Sequence, residues 1–247
     1  MLRTTLTLLL IATACQPVQH APARNAAAPA IEQRTPIMPK TLHVVSLGDS
    51  LAYGAGDESG EGITGRLEVE LRDRGIPSVE TVNLGVKGAQ TNDVLARLKQ
   101  ERIRKAIAAA DAVVLSIGAN DLFRSSHSRE EIMRNPTAVA ERILGRIETI
   151  VAEIHRINPR ARVLMLGGYN PVPRHEWASL INQYLGVWDQ LLASRFEHDD
   201  RVAVVHMADI VTPQRLSRYD SFHPGSAAYR EAAKRIAGML LSELNAA

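Results

Sequence analysis

Two separate segments of the sequence carry a serine, an aspartate and a histidine that could act together in acyl transfer. Ser50 lies in the segment Gly-Asp-Ser-Leu at 48–51, and Asp220 precedes His223 by three residues in the segment 220–224. A serine hydroxyl is a weak nucleophile until a base removes its proton, and histidine is such a base near neutral pH. A carboxylate that holds the second ring nitrogen orients the histidine. We therefore expect Ser50 to be the nucleophile, His223 the base and Asp220 its orienting acid.

Two further segments could donate hydrogen bonds to the oxyanion that forms when a nucleophile attacks an ester carbonyl. Gly88 ends the glycine-containing segment 83–88, and Asn120 lies in the segment Gly-Ala-Asn-Asp at 118–121. A residue without a side chain lets a substrate approach its backbone N–H closely, and a side-chain amide is a second kind of donor. Gly88, Asn120 and the backbone N–H of Ser50 therefore form the predicted oxyanion hole.

Five apolar runs of strand length alternate with longer amphipathic stretches along most of the chain. The apolar runs are 42–47, 79–84, 112–117, 163–166 and 202–206. The amphipathic stretches, which predict helices, are 61–74, 91–108, 137–157, 174–197 and 226–245. Unbroken apolar runs are typical of parallel strands covered on both faces. This order of elements predicts a single α/β domain, a doubly wound three-layer α/β/α sandwich.

The four candidate segments stand at the ends of the predicted strands. Three of them directly follow the first, second and third apolar runs, and the fourth lies between the last run and the C-terminal helix. In open α/β sheets, ligands bind beyond the carboxyl ends of the strands. We therefore expect the four segments to meet at one edge of the sheet.

These four segments resemble the four sequence blocks of the SGNH hydrolases, also called GDSL esterases. The resemblance spans most of residues 41–245. It implies a flavodoxin-like parallel sheet of five strands in the order 2-1-3-4-5. It also implies, residue by residue, the catalytic and oxyanion roles expected above. Independently of the resemblance, the sequence holds no complete dinucleotide or zinc motif, so we expect neither a cofactor nor a metal.

The resemblance also favours one of two candidate glycines and a subgroup. In the family, the donor glycine follows an asparagine by five residues, and counting from Asn83 this favours Gly88 over Gly85. The wider stretches 47–57 and 83–98 are most similar to the lysophospholipase, thioesterase and arylesterase type.

The N-terminal forty residues are predicted to be an export signal and a tether. Residues 1–14 have a basic start, a short apolar core and small residues at the end, which is typical of a signal peptide. The segment Ala-Thr-Ala-Cys at 12–15 resembles the lipobox of bacterial lipoproteins, so we expect Cys15 to be lipidated, with a plain secretory signal as the alternative. Residues 15–40 hold five prolines and little to bury, which predicts a flexible tether before a domain at 41–247.

The composition excludes several other classes of protein. The 247 residues are 45% hydrophobic and 23% charged, which is ordinary for a globular protein and not for a polytopic membrane protein. The net charge is +2, and its excess lies in the N-terminal forty residues, so the near-neutral remainder argues against nucleic acid as a partner. One cysteine can form neither an internal disulfide nor a thiolate zinc site.

Together these patterns predict an exported serine esterase of the bacterial cell envelope, on its periplasmic or outer-membrane side, which meets the membrane only through its lipid anchor. The expected substrates are small acyl or aryl esters, including lysophospholipids and thioesters, because aromatic residues make up only 4% of the chain and offer few rings for binding sugars. One alternative is an O-acetyl esterase acting on carbohydrate. Another is a noncatalytic envelope lipoprotein that binds a polymer, although such a module needs none of the catalytic residues.

Five apolar residues that follow the third and fourth predicted strands have two interpretations. They pack in the core, which is the commoner use of such residues, or they line an acyl pocket beside Ser50. The five are Met133, Trp177, Leu180, Tyr184 and Trp188.

Overall fold

The computed structural model describes residues 40–123 and 134–244. Its centre is a sheet of five parallel strands in the order β2-β1-β3-β4-β5, which confirms the predicted strand order. The strands are β1 (Thr41–Gly48), β2 (Ser78–Gly85), β3 (Ala112–Ser116), β4 (Arg162–Leu166) and β5 (Val202–Val205). The apolar runs of β1, β3 and β4 are explained by this order, because central strands buried on both faces have no polar face to alternate with, whereas the edge strands β2 and β5 are partly exposed.

Helices connect the strands and cover both faces of the sheet. The described helices are α1 (Ser50–Tyr53), α2 (Gly62–Asp73), α3 (Thr91–Arg97), α4 (Glu101–Ala109), α5 (Ala119–Phe123), α6 (Pro136–Ile157), α7 (Ala178–Arg195) and α8 (Ser226–Leu244). A short 3-10 helix, Pro213–Arg215, precedes the turn that leads to α8. The three-layer sandwich expected from the sequence is therefore present.

Successive residues of each central strand face opposite layers. Val44 and Val114 pack with α2 and α8 in one apolar cluster, whereas Val45 and Val113 pack with α3, α4 and α6 in the other. Each buried aliphatic side chain of this kind contributes about 1.5–3 kcal/mol relative to exposure. The packing of the strands therefore fixes the points at which the loops at their carboxyl ends begin.

The predicted single helix over 91–108 is wrong, because the chain forms two helices there. Gln100 has an extended backbone between α3 and α4. Leu98 and Ile103 are both fully buried, yet they are five residues apart, whereas one face of a continuous helix repeats every three or four residues. The break moves the apolar stripe by one residue and so lets both helices pack against the sheet.

Residues Pro36–Ala247 cluster as one compact unit, which contains every described residue. The predicted signal peptide at 1–14, the tether up to residue 39 with Cys15, and Met133 lie outside the described residues. Within residues 40–123 and 134–244, no helix combines the length and the apolar composition that crossing a membrane requires.

Candidate active site

A tight turn at the end of β1 carries Ser50. Gly48 has a φ of 132°, and a Cβ at this position would overlap the carbonyl oxygen of Ser116. Only glycine therefore lets β1 run this close to the end of β3, where the N–H of Asp49 donates to that same carbonyl at 2.8 Å. Ser50 begins α1 directly after this turn, at the carboxyl edge of the sheet.

The side chain of Asp49 lies beneath this turn and is only 3% exposed. Its Oδ1 accepts hydrogen bonds from the Ser116 hydroxyl at 2.8 Å and from the Leu51 N–H at 3.1 Å. Burial raises the pKa of Asp49 to about 6, although these hydrogen bonds oppose the rise. Asp49 thus links the turn that carries Ser50 to the end of β3.

Ser50, His223 and Asp220 form a continuous line of polar contacts. The Nε2 atom of His223 lies 3.0 Å from the Ser50 hydroxyl oxygen, and its Nδ1 atom lies 2.6 Å from Oδ2 of Asp220. When Nδ1 carries the proton and donates it to the carboxylate, Nε2 is left to accept the serine proton. The structure therefore brings together the three residues expected to act as nucleophile, base and orienting acid.

Asp220 and His223 share one short turn before α8, residues 219–225, which we call the histidine turn. Oδ1 of Asp220 accepts the N–H groups of Phe222 and His223, both at 2.9 Å. Partial burial acts to raise the pKa of Asp220, but the hydrogen bonds from His223 and from these amides outweigh it and hold the pKa below its usual range. Asp220 is therefore ionised at neutral pH, as an acceptor for the histidine must be. Ser221, inside the turn, has a φ of 54°, a backbone conformation that non-glycine residues rarely adopt.

Gly88 and Asn120 belong to two segments that are hydrogen-bonded to each other. Nδ2 of Asn120 donates to the carbonyl of Ala89, next to Gly88, at 3.1 Å. In return, the side-chain amide of Gln90 donates to the carbonyl of Asn120 at 3.1 Å. The amide of Asn120 has a second hydrogen, so it can hold this neighbour and still donate elsewhere. Two hydrogen bonds therefore link the segments that carry the two predicted oxyanion residues.

The structure separates the two candidate glycines by their surroundings. The N–H of Gly85 donates to the side chain of Asn83 at 2.9 Å, and a Cβ at Gly85 would overlap the backbone of Tyr53 in α1. Gly85 therefore lets β2 pack against α1 and uses its N–H locally. Gly88 has a φ of 78° in the turn between β2 and α3. The structure thus gives Gly85 a packing role, and Gly88 as the oxyanion donor stays a prediction.

Asp121 holds the oxyanion segments together, and sequence reasoning assigned it no function. This carboxylate is 8% exposed and accepts the N–H and hydroxyl of Thr91 at 3.0 and 2.6 Å. Arg146 of α6 donates to it at 3.0 Å. Because Thr91 begins the helix after Gly88 and Asp121 follows Asn120, this contact aligns both segments. The only signal in the sequence is its position next to Asn120.

Asp57 is a second buried carboxylate near the site that the sequence left without a role. It forms an ion pair with Arg66 at 2.9 Å and accepts the Gly62 N–H at 2.7 Å and the Ser226 hydroxyl at 2.6 Å. Burial acts to raise the pKa of Asp57, but these donors hold it well below its usual range. Asp57 thus ties the loop after α1 to α2 and to the start of α8.

Four of the five apolar residues with two interpretations are described by the structure, and they differ in burial. Trp188 is half-buried and packs against the core cluster. Trp177 is 58% exposed, and Leu180 and Tyr184 are about half exposed on the same side of α7. Core packing is therefore wrong for these three residues.

Residues 46–231 of the chain match the GDSL-like Lipase/Acylhydrolase family. The chain belongs to this family. Ester hydrolysis is the activity that this membership supports, and the matched residues include all four segments of the site.

The chain is also similar to individual proteins, in sequence to one relative and in fold to two solved structures. The chain is 29% identical over 239 residues to a protein named YpmR from Bacillus subtilis strain 168, and the match covers 93% of this chain and 91% of the relative. The fold is similar to that of the lipase Lip_vut3 from a goat rumen metagenome, with a TM-score of 0.69, 22% identity, and coverage of 80% of this chain and 96% of that one. It is also similar to a Clostridium thermocellum family 3 carbohydrate esterase, with a TM-score of 0.59, 17% identity, and coverage of 83% and 98%.

Proposed function

We propose that this protein is a serine esterase that hydrolyses carboxylic esters through an acyl-enzyme formed on Ser50. The observation that carries the proposal is the line of contacts from Asp220 through His223 to Ser50, with steps of 2.6 and 3.0 Å. Three side chains from two distant parts of the chain lie within hydrogen-bond distance in the order that general-base activation of a serine requires.

The first half of the reaction acylates the serine. The Ser50 hydroxyl oxygen attacks the ester carbonyl carbon while Nε2 of His223 accepts the hydroxyl proton. The N–H groups of Ser50 and Gly88 and the amide of Asn120 stabilise the oxyanion of the tetrahedral intermediate. The intermediate collapses, the bond to the alkoxy oxygen breaks, and the proton on His223 goes to the departing alcohol.

The second half returns the enzyme to its starting state. A water molecule gives a proton to His223 and attacks the acyl carbonyl, and the same donors stabilise the second oxyanion. When the bond to Ser50 breaks, His223 returns the proton to the serine and the carboxylic acid leaves. Throughout, Asp220 keeps the Nδ1 proton in place and stabilises the positive charge of the imidazolium.

For the substrate, we propose an acyl or aryl ester, with lysophospholipids and thioesters included. Three exposed apolar side chains support this choice, because each belongs to a segment that carries a site residue: Tyr53 in the helix of Ser50, Val86 near Gly88, and Phe222 beside His223. Apolar groups around the reacting atoms favour an apolar acyl or aryl group over a heavily hydrated one.

A second candidate is an O-acetyl esterase acting on carbohydrate. The observation in its favour is a set of exposed aromatic rings near the histidine turn and at the start of α7: Tyr219 is 73% exposed and Trp177 is 58% exposed. Flat exposed rings of this kind can pack against the face of a sugar. A noncatalytic polymer-binding module has less support, because polymer binding does not require aligned contacts among Ser50, His223 and Asp220.

One assay separates these candidates. Hydrolysis of p-nitrophenyl esters of graded chain length is measured beside a lysophospholipid and an acetylated xylooligosaccharide, with Ser50→Ala as the blank. A preference for longer or aryl esters supports the leading proposal, and a preference for the acetylated sugar supports the second. A wild-type protein no more active than Ser50→Ala on every substrate, with Ser50 unlabelled by a phosphonate, contradicts both.

We also propose that the protein is exported and anchored by lipid at Cys15. The support is the sequence of residues 1–15 alone. Mass spectrometry of the mature protein is expected to find a diacylated or triacylated Cys15 as the first residue. Cys15→Ser is expected to leave the membrane fraction, and a mature chain that starts elsewhere contradicts the proposal.

A further inference from the structure

The carboxylate of Glu58 bridges both ends of the turn that carries Asp220 and His223. Its Oε1 atom accepts the backbone N–H of Arg218 at 3.0 Å, and its Oε2 atom accepts the backbone N–H of Ser226 at 2.7 Å. The two donors stand on either side of the turn, so one side chain fixes the points where the chain enters and leaves it. We call this arrangement, Glu58 with the N–H groups of Arg218 and Ser226, the carboxylate bridge.

Glycines on both sides leave the space that the carboxylate bridge occupies. A Cβ at Gly56 would lie 2.6 Å from the Cβ of His223, and a Cβ at Gly225 would lie 3.2 Å from Oε1 of Glu58. The loop after α1 therefore packs directly on the histidine turn, with no side chain between them at these two points. The φ of 86° at Gly56 adds a second reason for glycine at that position.

The backbone of Glu58 is itself held in place by its neighbour. Asp57 is bound to Arg66 of α2 and accepts the Ser226 hydroxyl at 2.6 Å. Partial burial acts to raise the pKa of Glu58, but the N–H donors of Arg218 and Ser226 lower it to about 2. The side chain is thus a carboxylate at neutral pH, the state that accepts at both oxygens.

Other contacts hold the histidine turn, but they come from the turn itself or from the far side of the sheet edge. The backbone N–H of Ser217, just before the turn, donates to the carbonyl of His223 at 2.7 Å, and the backbone N–H of Ser221 donates to the carbonyl of Ser217 at 2.8 Å. Asp220 and Phe222 are exposed, and the carbonyl of Phe222 accepts the hydroxyl of Tyr169, which follows β4, at 3.2 Å. The loop after α1 begins directly beyond the helix of Ser50, so the carboxylate bridge ties the turn to the segment that carries the serine.

We propose that Glu58 is a positioning residue that keeps His223 at hydrogen-bond distance from Ser50. The inference rests on the proposed esterase function and goes beyond it, because Glu58 acts only through the backbone of the histidine turn. A displacement of about 1 Å of a catalytic group costs on the order of a hundredfold in rate. Loss of the carboxylate bridge should therefore lower kcat and leave the binding of substrate nearly unchanged.

The test compares Glu58→Ala and Glu58→Gln with a matched control, the same substitution at a glutamate outside the carboxylate bridge. Glu70→Gln is that control, because the carboxylate of Glu70 pairs with Arg74 at the C-terminal end of α2. For Glu58→Ala we expect kcat on a p-nitrophenyl ester to fall about tenfold to a hundredfold, with KM within about twofold of wild type. Glu58→Gln keeps one acceptor oxygen and should lose less, and Glu70→Gln should match wild type.

Labelling of Ser50 by a phosphonate gives a second measurement that does not need turnover. Its rate is expected to fall in the same proportion as kcat in the two Glu58 variants. Circular dichroism and thermal unfolding identify the folded fraction, to which all rates are normalised, and Glu58→Gln decides the question if Glu58→Ala does not fold.

The outcomes separate the positioning role from the proposed function. If wild type is active, Ser50→Ala is inactive, and folded Glu58→Gln and Glu58→Ala keep the wild-type kcat and labelling rate, the positioning role is wrong. An increase in KM alone also overturns it. If wild type is no more active than Ser50→Ala, the esterase function is what fails.

Discussion

The two sides of Ser50 are both held by a carboxylate that accepts backbone N–H groups, but the two carboxylates differ in burial. On the oxyanion side, Asp121 is 8% exposed and binds Thr91 and Arg146. On the histidine side, Glu58 is only half-buried and accepts N–H groups 160 and 168 residues further along the chain. Removing a buried acceptor leaves its donors without partners or water, whereas exposed donors can bind water instead. We therefore expect changes on the oxyanion side to affect the stability of the fold, and changes on the histidine side to affect the alignment of His223 with Ser50.

The largest effect is expected at Ser50, which lies between the oxyanion side and the histidine side. Ser50→Ala removes the nucleophile and should lower kcat by at least about 10⁴-fold, because the remaining groups can only bind and polarise the ester. Initial rates of p-nitrophenyl ester hydrolysis measure this loss. The half-exposed hydroxyl packs little, so the melting temperature should stay close to that of wild type. Full activity in this variant would contradict the proposed mechanism.

The oxyanion side can be tested directly at Asn120. Asn120→Ala should lower kcat by about a hundredfold to a thousandfold, which is typical for the loss of one oxyanion donor. Asn92→Ala, an exposed asparagine in α3, is the matched control and should keep the wild-type rate. A loss confined to KM would show that Asn120 binds the substrate and the transition state equally well.

Asp121 gives the clearest contrast with Glu58, because its removal should lower both stability and activity. Asp121→Ala leaves the N–H and hydroxyl of Thr91 and the guanidinium of Arg146 without their acceptor. We expect a loss of about 3–4 kcal/mol in the free energy of unfolding, measured in urea. Glu58→Ala should lose much less. Equal losses in the two variants would remove the distinction between the two sides.

The smallest effect concerns the pH dependence of stability, where Asp49 and Glu58 have opposite signs. Burial raises the pKa of Asp49 from 3.8 to about 6, so the folded state binds this proton more tightly than the unfolded state. The resulting stability is complete below about pH 4 and is lost as the pH rises through 6, a change of about 2–3 kcal/mol. The pKa of Glu58 is lowered from 4.5 to about 2, so its contribution is present above pH 4.5 and is lost as the pH falls through 2.

Urea unfolding at pH 4, 5, 6 and 7 measures the first of these effects. The stability of Asp49→Asn minus that of wild type should increase over this range, because only wild type has the titrating carboxyl at this position. The same difference for Glu58→Gln should stay nearly constant from pH 5 to 7. A constant difference for Asp49→Asn would show that its burial does not perturb its titration.

The strands and the site segments were predictable because their signals are local. Runs such as 42–47 and 112–117 are apolar throughout, and only strands covered on both faces tolerate that. The segments around Ser50, Gly88, Asn120 and His223 follow from where those runs end. The break between α3 and α4 was missed, because a change of one residue in spacing between Leu98 and Ile103 is a weak signal within a longer amphipathic stretch.

By itself, the sequence determined the order of strands and helices, the edge of the sheet where the site lies, and the types of residue placed there. These properties depend on apolar periodicity and on residues that stand next to each other in the chain. Only the tertiary structure decided that Gly85 packs against α1, that Asp121 joins the oxyanion segments, and that Glu58 spans the histidine turn. An acidic residue in a loop looks the same in sequence whether it faces water or accepts an N–H from 160 residues away, because its partner is chosen by the packing of the whole domain.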